Sequence, residues 1–391
     1  MPRNPNKIDY SGGLPPSYQA FEIIEDPRSG GNTRHHFGEV LFMAITGLLC
    51  GMNNFEEIEE FCLHQIDWLK KWISLPNGIP RAQTFTNIFA AVSPEKFNRC
   101  LIEHLKELNP ELHKQVIAIA IDGKSLRGSG SLIQKSAHAV SAWAQEARLT
   151  LGQEFVSEKS NEITAIPKLL DLLDLKGHLV TIDAMGTHIP IAEKIITQGG
   201  DYLLALKGNQ GNLHKEVEDH FHTGLRHHDP KKTKGWSQWQ NTEKSHGRIT
   251  TRTVVVTTQL ETMNQELREK WPQLRSLIAL ENETVEQPSG KKRKREIRYY
   301  ISSQESNAES FGLAVRQHWS IENNCHWILD TAFREDHHQL SSGHAAKNLG
   351  TARRIALNLL NNDNTVKKSL PKKRFHALMN QRFREKLLSL A

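Results

Sequence analysis

The sequence predicts an α/β protein with a mixed sheet flanked by helices, an inserted antiparallel β subdomain and an N-terminal helical domain. Two observations predict this fold class. Apolar residues recur at helical spacing over about the first hundred positions, whereas short apolar runs alternate with amphipathic segments after Pro110. An alternation of strands and helices places a sheet between layers of helices. The length of 391 residues suffices for two ordinary domains with a sizeable core.

Residues 1–110 are predicted to form the helical domain. Apolar side chains follow steps of three and four in the segments 37–52 and 55–72. A further helix starts at Ser93-Pro94, because a capping serine followed by proline is a typical helix start. The change of period after Pro110 sets the domain boundary.

Residues 111–362 are predicted to form the second domain. Its first elements follow the order β-β-β-α-β-α-β, at 116–121, 138–144, 149–156, 161–173, 178–182, 189–197 and 202–206. The first run is continuously apolar, as in a central strand, and Asp122 follows it, while Asp183 follows a later strand. Because α/β sheets hold their sites at the carboxyl ends of strands, both aspartates are candidate site residues, although a turn role is the alternative.

The alternation stops between residues 208 and 305, which we predict to form the inserted β subdomain. A polar helix at 213–222 precedes strand-like runs at 236–241, 249–258, 274–281 and 296–302. Helices are then predicted at 308–318, 321–329 and 345–361, and residues 363–391 are predicted to form a basic C-terminal tail.

Positive charge is concentrated in two places. The net charge is +6, with six basic residues against one acid between Lys291 and Arg298 and ten against two between Arg353 and Ala391. Clustered cations indicate a polyanionic partner, and solvated surface segments are the alternative. The residues predicted to contact DNA are Lys291, Lys292, Arg293, Lys294, Arg295, Lys372, Lys373 and Arg374. Trp236 and Trp239 are predicted either to stack on an unpaired base or to pack within the sheet.

Several function classes are excluded. The four cysteines lie far apart with no C-x-x-C pair, which argues against a disulfide framework or zinc ribbon and favours a reduced cytoplasm. The longest apolar run, at about 40–52, is too short to cross a bilayer. Gly128-Ser129-Gly130 lacks the Lys-Ser/Thr of a phosphate-binding loop, so no nucleotide cofactor is predicted.

Ionisable residues share one face of the predicted helix at 321–329 and the residues before it. His318, Glu322, His326 and Asp330 recur every four residues. This face predicts an acid in a cleft. A zinc-binding face and a structural network of ion pairs with Arg316 are the alternatives.

Three carboxylates, Asp122, Asp183 and Glu322, are predicted to converge on a metal site. Such a set can hold two divalent cations about 4 Å apart for phosphoryl displacement. Oxygen ligands suit Mg²⁺, with Mn²⁺ as a substitute. Asp122 would bridge both ions, and Asp183 and Glu322 would each hold one. Arg316, His326 and Asp330 are predicted to support the site.

Several blocks of the sequence resemble one family of proteins. They are IDGKSLRGS, KSNEITAIPKLLDLLDLKGHLVTIDAMGT, YLLALKGNQ, HWSIENNCHWILDTAFRED and RRIALNLL, and they occur in this order. The N-terminal segments DPR and CGMNNFEEIEEF extend the resemblance to nearly the whole chain. These blocks resemble the H-repeat-associated branch of bacterial insertion-sequence transposases.

The resemblance implies an RNase H-like catalytic domain whose DDE triad falls on Asp122, Asp183 and Glu322. It implies an enzyme that binds the ends of its element, cleaves DNA with metal ions and joins the strand to target DNA. The expected partners are double-stranded DNA and a second copy of the chain when DNA is bound, in the cytoplasm at the nucleoid. A silent or domesticated DNA-binding relic and a nuclease of the same fold are the alternatives.

Overall fold

The computed structural model of the protein describes residues 14–15, 18, 20–21, 24–28, 33–130, 136–156, 162–245, 247–287, 289–293, 295–337 and 340–390. The chain forms two compact units. The first unit comprises Met1–Gln115, Gly123–Asn161 and Glu322–Ala391, and the second unit comprises Val116–Asp122 and Glu162–Ile321.

The predicted order of helices and strands is formed. In chain order the elements are α1 (Phe37–Leu49), α2 (Phe55–His64), α3 (Ile66–Leu69), α4 (Ala82–Ala91), α5 (Pro94–Leu108), α6 (Leu112–Gln115), β1 (Ala118–Ser125), β2 (His138–Ala144), β3 (Leu149–Val156), α7 (Glu162–Leu170), β4 (Leu179–Ile182), α8 (Ile189–Thr197), β5 (Asp201–Leu206), α9 (Gly211–His227), β6 (Trp236–Ser245), β7 (Arg248–Thr257), α10 (Gln265–Lys270), β8 (Ser276–Glu286), β9 (Glu296–Ser302), α11 (Ala308–His318), α12 (Trp327–Thr331), α13 (Ala345–Asn362), α14 (Leu370–Met379) and α15 (Gln381–Leu387). A π-helical turn at Glu322–His326 replaces the first part of the helix predicted at 321–329.

The nine strands hydrogen-bond in the order β3-β2-β1-β4-β5-β9-β8-β7-β6. Strands β1, β4 and β5 are parallel neighbours, whereas β2–β3 and the series from β5 through β9 to β6 pair antiparallel. The predicted α/β class with a mixed sheet is therefore confirmed. The strands predicted as an insertion are formed, and the pairing of β9 with β5 makes them an extension of the same sheet.

Helix packing forms the core of the first unit. Helix α1 is buried along its whole length, as expected of a helix that is apolar on all sides. Helix α13 packs against α1, α4 and α5. The predicted start of α5 is confirmed, because Ser93 Oγ accepts a hydrogen bond from the Lys96 amide at 3.3 Å.

The core of the second unit lies where α11 covers one face of the sheet. Phe311 and Val315 of α11 pack with Val254, Ile278 and other apolar residues of β4 to β9. A Cβ added to Gly312 would lie 2.8 Å from two ring atoms of Trp239, so this glycine lets α11 approach the sheet closely.

The C-terminal segment is folded, contrary to the prediction of a basic tail. It contains α14 and α15, and Lys373 and Arg374 are buried. Lys373 Nζ donates to the Leu360 carbonyl at 2.9 Å, and Arg374 Nη2 donates to the Leu48 carbonyl at 2.7 Å. Burial lowers the pKa of Arg374 to about 9. Because both cations lie inside the first unit, their positions disagree with the DNA contacts predicted for them.

Within the part of the chain that the structure describes, no helix is both long enough and apolar enough to span a membrane.

Candidate active site

In the second unit, Asp122 lies in β1, and Asp183 directly follows the neighbouring parallel strand β4. The register pairs Ile121 of β1 with Ile182 of β4, and each aspartate is the next residue. Strand β1 continues past Asp122 to Ser125, whereas β4 ends before Asp183. Neighbouring strands lie about 4.8 Å apart, and residues in register project from the same side of a sheet. The sheet therefore brings these two half-buried carboxylates to the same edge.

Asp183 also has the turn role that was the alternative to a site role. Its Oδ1 accepts hydrogen bonds from the amides of Met185 at 3.0 Å and Gly186 at 3.2 Å, which caps the short 3₁₀ turn after β4. These two bonds use one carboxylate oxygen. The turn thus fixes the carboxylate in place, and Oδ2 lies outside the capping interaction.

A cavity of about 300 Å³ opens beside Asp183 in the second unit. The side chains of Asp183, Lys207, His214, Arg298, His318 and Trp319 line it. Sequence analysis did not select Lys207, which directly follows the parallel strand β5. Residues at the carboxyl ends of parallel strands are site candidates, so the criterion that selected Asp183 also applies to Lys207. Sequence analysis also did not select Arg298 and Trp319. The guanidinium carbon of Arg298 lies over the Trp319 ring, 4.9 Å from the ring centre.

His318 contributes an uncharged ring to this cavity. Burial lowers the pKa of His318 to about 4, against the opposing effect of the Asp183 charge. Its Nδ1 lies 2.9 Å from Thr181 Oγ1. The imidazole is therefore neutral near pH 7 and adds no positive charge next to Asp183.

In the first unit, Glu322 is paired with His326. The Glu322 Oε2 atom lies 2.9 Å from Nδ1 of the buried His326, within the π-helical turn. The hydrogen bond from His326 lowers the pKa of Glu322, and the charges of His326 and Lys124 lower it further. Turns of π-helix are frequent at functional sites. The glutamate is thus an exposed, ionised carboxylate whose orientation is fixed by a buried neighbour.

Lys124 is a feature of the first unit that sequence reasoning missed. Its buried ammonium lies 2.7 Å from Asp330 Oδ1, 3.2 Å from Asp336 Oδ1 and 3.7 Å from Glu335 Oε2. Burial disfavours the charged ammonium, but the three carboxylates stabilise it by more than burial costs. The pKa of Lys124 is therefore raised above its ordinary value. The only signal in the sequence was its place in Asp122-Gly123-Lys124, where a lone lysine carries little information.

The supporting residues predicted around the site have different surroundings. Asp330 pairs with Lys124, and His326 pairs with Glu322. Arg316 forms an ion pair with Glu243 of β6, so it does not take part in the predicted ion-pair network along its own helix.

The two tryptophans predicted as base-stacking candidates have packing roles. Trp236 is buried, stacks on His220 with ring centres 6.1 Å apart, and donates from Nε1 to Gln259 Oε1 at 2.9 Å. Trp239 packs on the core of the second unit beside Gly312. Of the two predictions for these residues, packing within the sheet is the one that these contacts favour.

The basic loop between β8 and β9 is partly neutralised. Arg293 pairs with Glu286 at 2.9 Å, and Arg295 Nη2 donates to Glu281 Oε2 at 2.8 Å. Lys291 and Lys292 are exposed, and Lys294 lies outside the described residues. The cations available for phosphates in this loop are therefore fewer than the sequence suggests.

Comparison with known proteins places the chain in a family. The family model described as "Transposase DDE domain" matches residues 115–359, and the model described as "DDE_Tnp_1-associated" matches residues 18–105. The chain belongs to the transposase DDE domain family. Its nine-stranded mixed sheet flanked by helices is the α/β class that the sequence predicts.

The similar proteins include bacterial relatives of nearly the same length. "H repeat-associated putative transposase YhhI" and "Putative protein YbfL", both from Escherichia coli strain K12, are each 36% identical over 94% of this chain and 96% of the relative. The predicted resemblance to H-repeat-associated transposases is thereby confirmed. Among solved structures, a piggyBac transposase synaptic complex with hairpin DNA matches with a TM-score of 0.40 and 10% identity, over 95% of this chain and 77% of the other.

Proposed function

We propose that the protein is an active DNA transposase, which binds the ends of its own element, cleaves them and joins the freed 3′ hydroxyl to target DNA. The observation that carries this proposal is the pair of carboxylates, Asp122 and Asp183, at one edge of a sheet in a chain of the transposase DDE domain family. Strand transfer by direct in-line attack needs positioned groups and neutralised charge, and it needs no protein nucleophile.

Glu322 is the third member of the proposed triad. Only Gly123 separates Asp122 from Lys124, and the Lys124 charge lowers the pKa of Glu322. Lys124 and the π-helical turn both belong to the first unit. Through its ion pair with Asp330, Lys124 steadies this part of the chain.

The donor set fits hard divalent cations. Three carboxylates, of which Glu322 is held ionised by its neighbours, offer oxygen ligands, and Mg²⁺ prefers a few such ligands while keeping positions for substrate phosphates. We propose two Mg²⁺ ions, or Mn²⁺, with Asp122 as the shared ligand and with Asp183 and Glu322 holding one ion each. Bound divalent cations would activate the attacking oxygen and neutralise charge that develops on the phosphate.

The side chains around the triad have separate tasks in this proposal. The turn amides that bond Asp183 hold its carboxylate for one ion, and His326 holds Glu322. The neutral ring of His318 adds no positive charge that would repel a cation next to Asp183.

The partner is double-stranded DNA, bound by two copies of the chain when two ends are brought together, and the location is the cytoplasm at the nucleoid. Lys291, Lys292 and Lys372 are exposed and available for phosphates. The helical domain at 1–110 is proposed to recognise the element ends, and the domain at 111–362 is proposed to carry the chemistry.

The test is an assay of purified protein on labelled DNA that spans the flanks of its own gene, in Mg²⁺ or in EDTA. Asp122→Asn and Glu322→Gln are compared with the wild type, and Asp171→Asn, which changes an exposed carboxylate outside the site, is the matched control. We expect cut and joined products that need Mg²⁺, that the control retains and that both site variants lose.

The other outcomes identify the alternatives. Cut products without joined products would make the protein a nuclease of the same fold. Binding without any cleavage would make it a DNA-binding relic. Cleavage that survives in both site variants would refute the triad.

A further inference from the structure

The first unit contains a larger cavity, of about 900 Å³, that the proposed triad does not use. Its lining includes the basic and amide side chains of Arg148, Asn324, Asn361, Asn364 and Lys368, together with Trp327. We propose that this cavity is a binding groove for the sugar-phosphate backbone of DNA. The inference rests on the proposed function, because it takes DNA as the partner.

The charges around the groove favour a polyanion. Arg148 and Lys368 are exposed in its lining, and among the residues that the structure describes neither forms an ion pair with an acid. The buried Asp363 is already neutralised, since its carboxylate lies 3.6 Å from Lys373 Nζ and 3.4 Å from Lys386 Nζ. Glu146 is the one exposed acid in the lining. The accessible charge is therefore mainly positive, as a phosphate site requires.

The backbone at Arg148 gives a second, independent observation. Arg148 lies in the tight turn between β2 and β3 with a φ of +56°, a left-handed conformation that favours glycine. The Asn361 amide donates to the Arg148 carbonyl at 2.8 Å and fastens the turn to α13. A turn optimised for stability alone would carry glycine or asparagine here. The turn instead carries an exposed arginine at the edge of the groove, in a conformation whose cost is offset elsewhere in the fold.

The groove also adjoins the helical segment that carries Glu322. Asn324 lies in the π-helical turn and Trp327 begins α12, two and five residues after Glu322. Trp327 is 60% exposed, so its ring presents an open face to the cavity. Asparagine amides donate to phosphate oxygens, and an exposed indole packs on sugars and bases. A strand in the groove would thus run along the segment that holds the proposed catalytic glutamate.

Salt dependence of DNA binding tests the groove. Binding of a labelled duplex is measured in EDTA at several salt concentrations, for the wild type and for the double variant Arg148→Gly/Lys368→Ala. Each lost phosphate contact makes the negative slope of log K against log[salt] less steep by about 0.9. For the double variant we therefore expect a slope less steep by about 1.8, and a loss of affinity of at least about tenfold at 0.1 M salt.

Two controls separate binding from folding and from net charge. Arg148→Gly relieves the left-handed conformation, so this variant should keep or raise its melting temperature while its DNA affinity falls. The matched charge control is Lys231→Ala/Lys232→Ala, which removes two exposed cations of the second unit, outside the groove and outside the domain proposed to recognise the element ends. The control should keep the wild-type affinity within about twofold.

The outcomes of the groove and of the proposed function are distinguishable. A wild-type salt slope in the groove variant would overturn the groove while Mg²⁺-dependent cleavage stands. An equal loss of affinity in the Lys231/Lys232 control would overturn it as well. A fall in melting temperature of Arg148→Gly that parallels its loss of affinity would also overturn it. Failure of the wild-type protein to bind any duplex would remove the proposed function and the groove together.

Discussion

Asp183 combines two roles that sequence reasoning treats as alternatives. As a turn residue it accepts two amide hydrogen bonds through Oδ1, and as a proposed ligand it offers a carboxylate at the sheet edge. The two roles are compatible because a carboxylate has two oxygens with several acceptor positions. A residue at a strand end can therefore be fixed by its own turn and still bind a cation.

Substitutions at Asp183 separate these roles. Asparagine keeps a capping oxygen but loses the charge, so Asp183→Asn should abolish cleavage while the free energy of unfolding stays within about 0.5 kcal/mol of wild type. Alanine removes both the capping oxygen and the negative charge. Asp183→Ala should therefore abolish cleavage and also lose about 1 kcal/mol of stability. Urea unfolding and the cleavage assay measure the two effects. A cleavage-competent Asp183→Asn protein would contradict the ligand role.

At the residue scale, the sequence shows which side chains are ionisable or could bind a ligand, but it does not show which of them are buried. The neighbouring positions of Asp122 and Asp183 were predictable because each directly follows an apolar run of the kind that forms a buried parallel strand. Lys124, Lys373 and Arg374 were not, since their burial depends on residues far away in the chain, such as Leu48 for Arg374. Charge counting therefore overestimates the cations that are free to meet a phosphate.

At the element scale, Glu335 fastens the short 3₁₀ turn Glu335–His337, which follows α12, to helix α13. Its buried carboxylate accepts a hydrogen bond from Arg354 Nη1 at 3.1 Å, and Arg353 and Lys124 add their charges. Burial opposes ionisation, yet these three cations lower the pKa of Glu335 below its ordinary value of 4.5. The ionised glutamate is thus favoured in the folded state.

The pH dependence of stability follows from that shift. A depressed carboxyl pKa contributes stability that is present above pH 4.5 and is lost as the pH falls through the lower folded pKa. Glu335→Gln leaves buried arginines without their anion, and it should cost about 3 to 5 kcal/mol at pH 7. The difference from wild type should shrink as the pH falls below 4.5 and through the lower folded pKa of Glu335. Denaturant unfolding at pH 7 and at about pH 3 measures the difference. A difference that stays constant with pH would contradict the ionised state of Glu335 in the folded protein.

Helix α11 provides a second prediction at this scale. Alanine normally stabilises a helix relative to glycine by about 1 kcal/mol. At Gly312, however, the added Cβ would lie 2.8 Å from the Trp239 ring and 3.1 Å from Val254 Cγ2, and such overpacking costs about 1 to 3 kcal/mol. Gly312→Ala should therefore destabilise the protein by about 1 kcal/mol, as measured by urea unfolding.

Gly211 is the matched control for this substitution. It begins helix α9, and a Cβ added there would meet nothing within 4 Å. Gly211→Ala should therefore be neutral or stabilising by about 0.5 kcal/mol. If both alanine variants shifted stability in the same direction, close packing of α11 on the sheet would not explain the result.

The elements themselves were largely predictable, and their partners were less so. Strands β2, β3 and β9 and helices α8 and α11 have the predicted bounds, because each follows a strong local pattern. Strands β9 and β5 pair although their residues lie about a hundred positions apart in the chain. Such a pairing could not be predicted from local patterns, because these show where a strand forms but not which strand it pairs with. The π-helical turn at Glu322–His326 likewise escaped prediction, since its residues have ordinary helical spacing.

At the scale of the whole molecule, the distribution of cysteines supplies a probe of unfolding. All four, Cys50, Cys62, Cys100 and Cys325, are free and buried, and all belong to the first unit. Burial raises the pKa of Cys50 and of Cys100 to about 12 and that of Cys325 to about 11. Because the thiolate is the reactive form, the folded protein should be inert to thiol reagents.

The labelling experiment follows from this distribution. In the folded protein, a disulfide reagent should modify the thiols only at the rate at which the first unit opens, whereas all four should react at once in concentrated guanidinium. Glu335→Gln destabilises the first unit and should accelerate labelling, since opening to the solvent becomes more frequent. Rapid modification of any thiol in the native wild-type protein would contradict the burial of that cysteine. A Glu335→Gln protein that labels at the wild-type rate would show that the Glu335 network does not limit the opening of this unit.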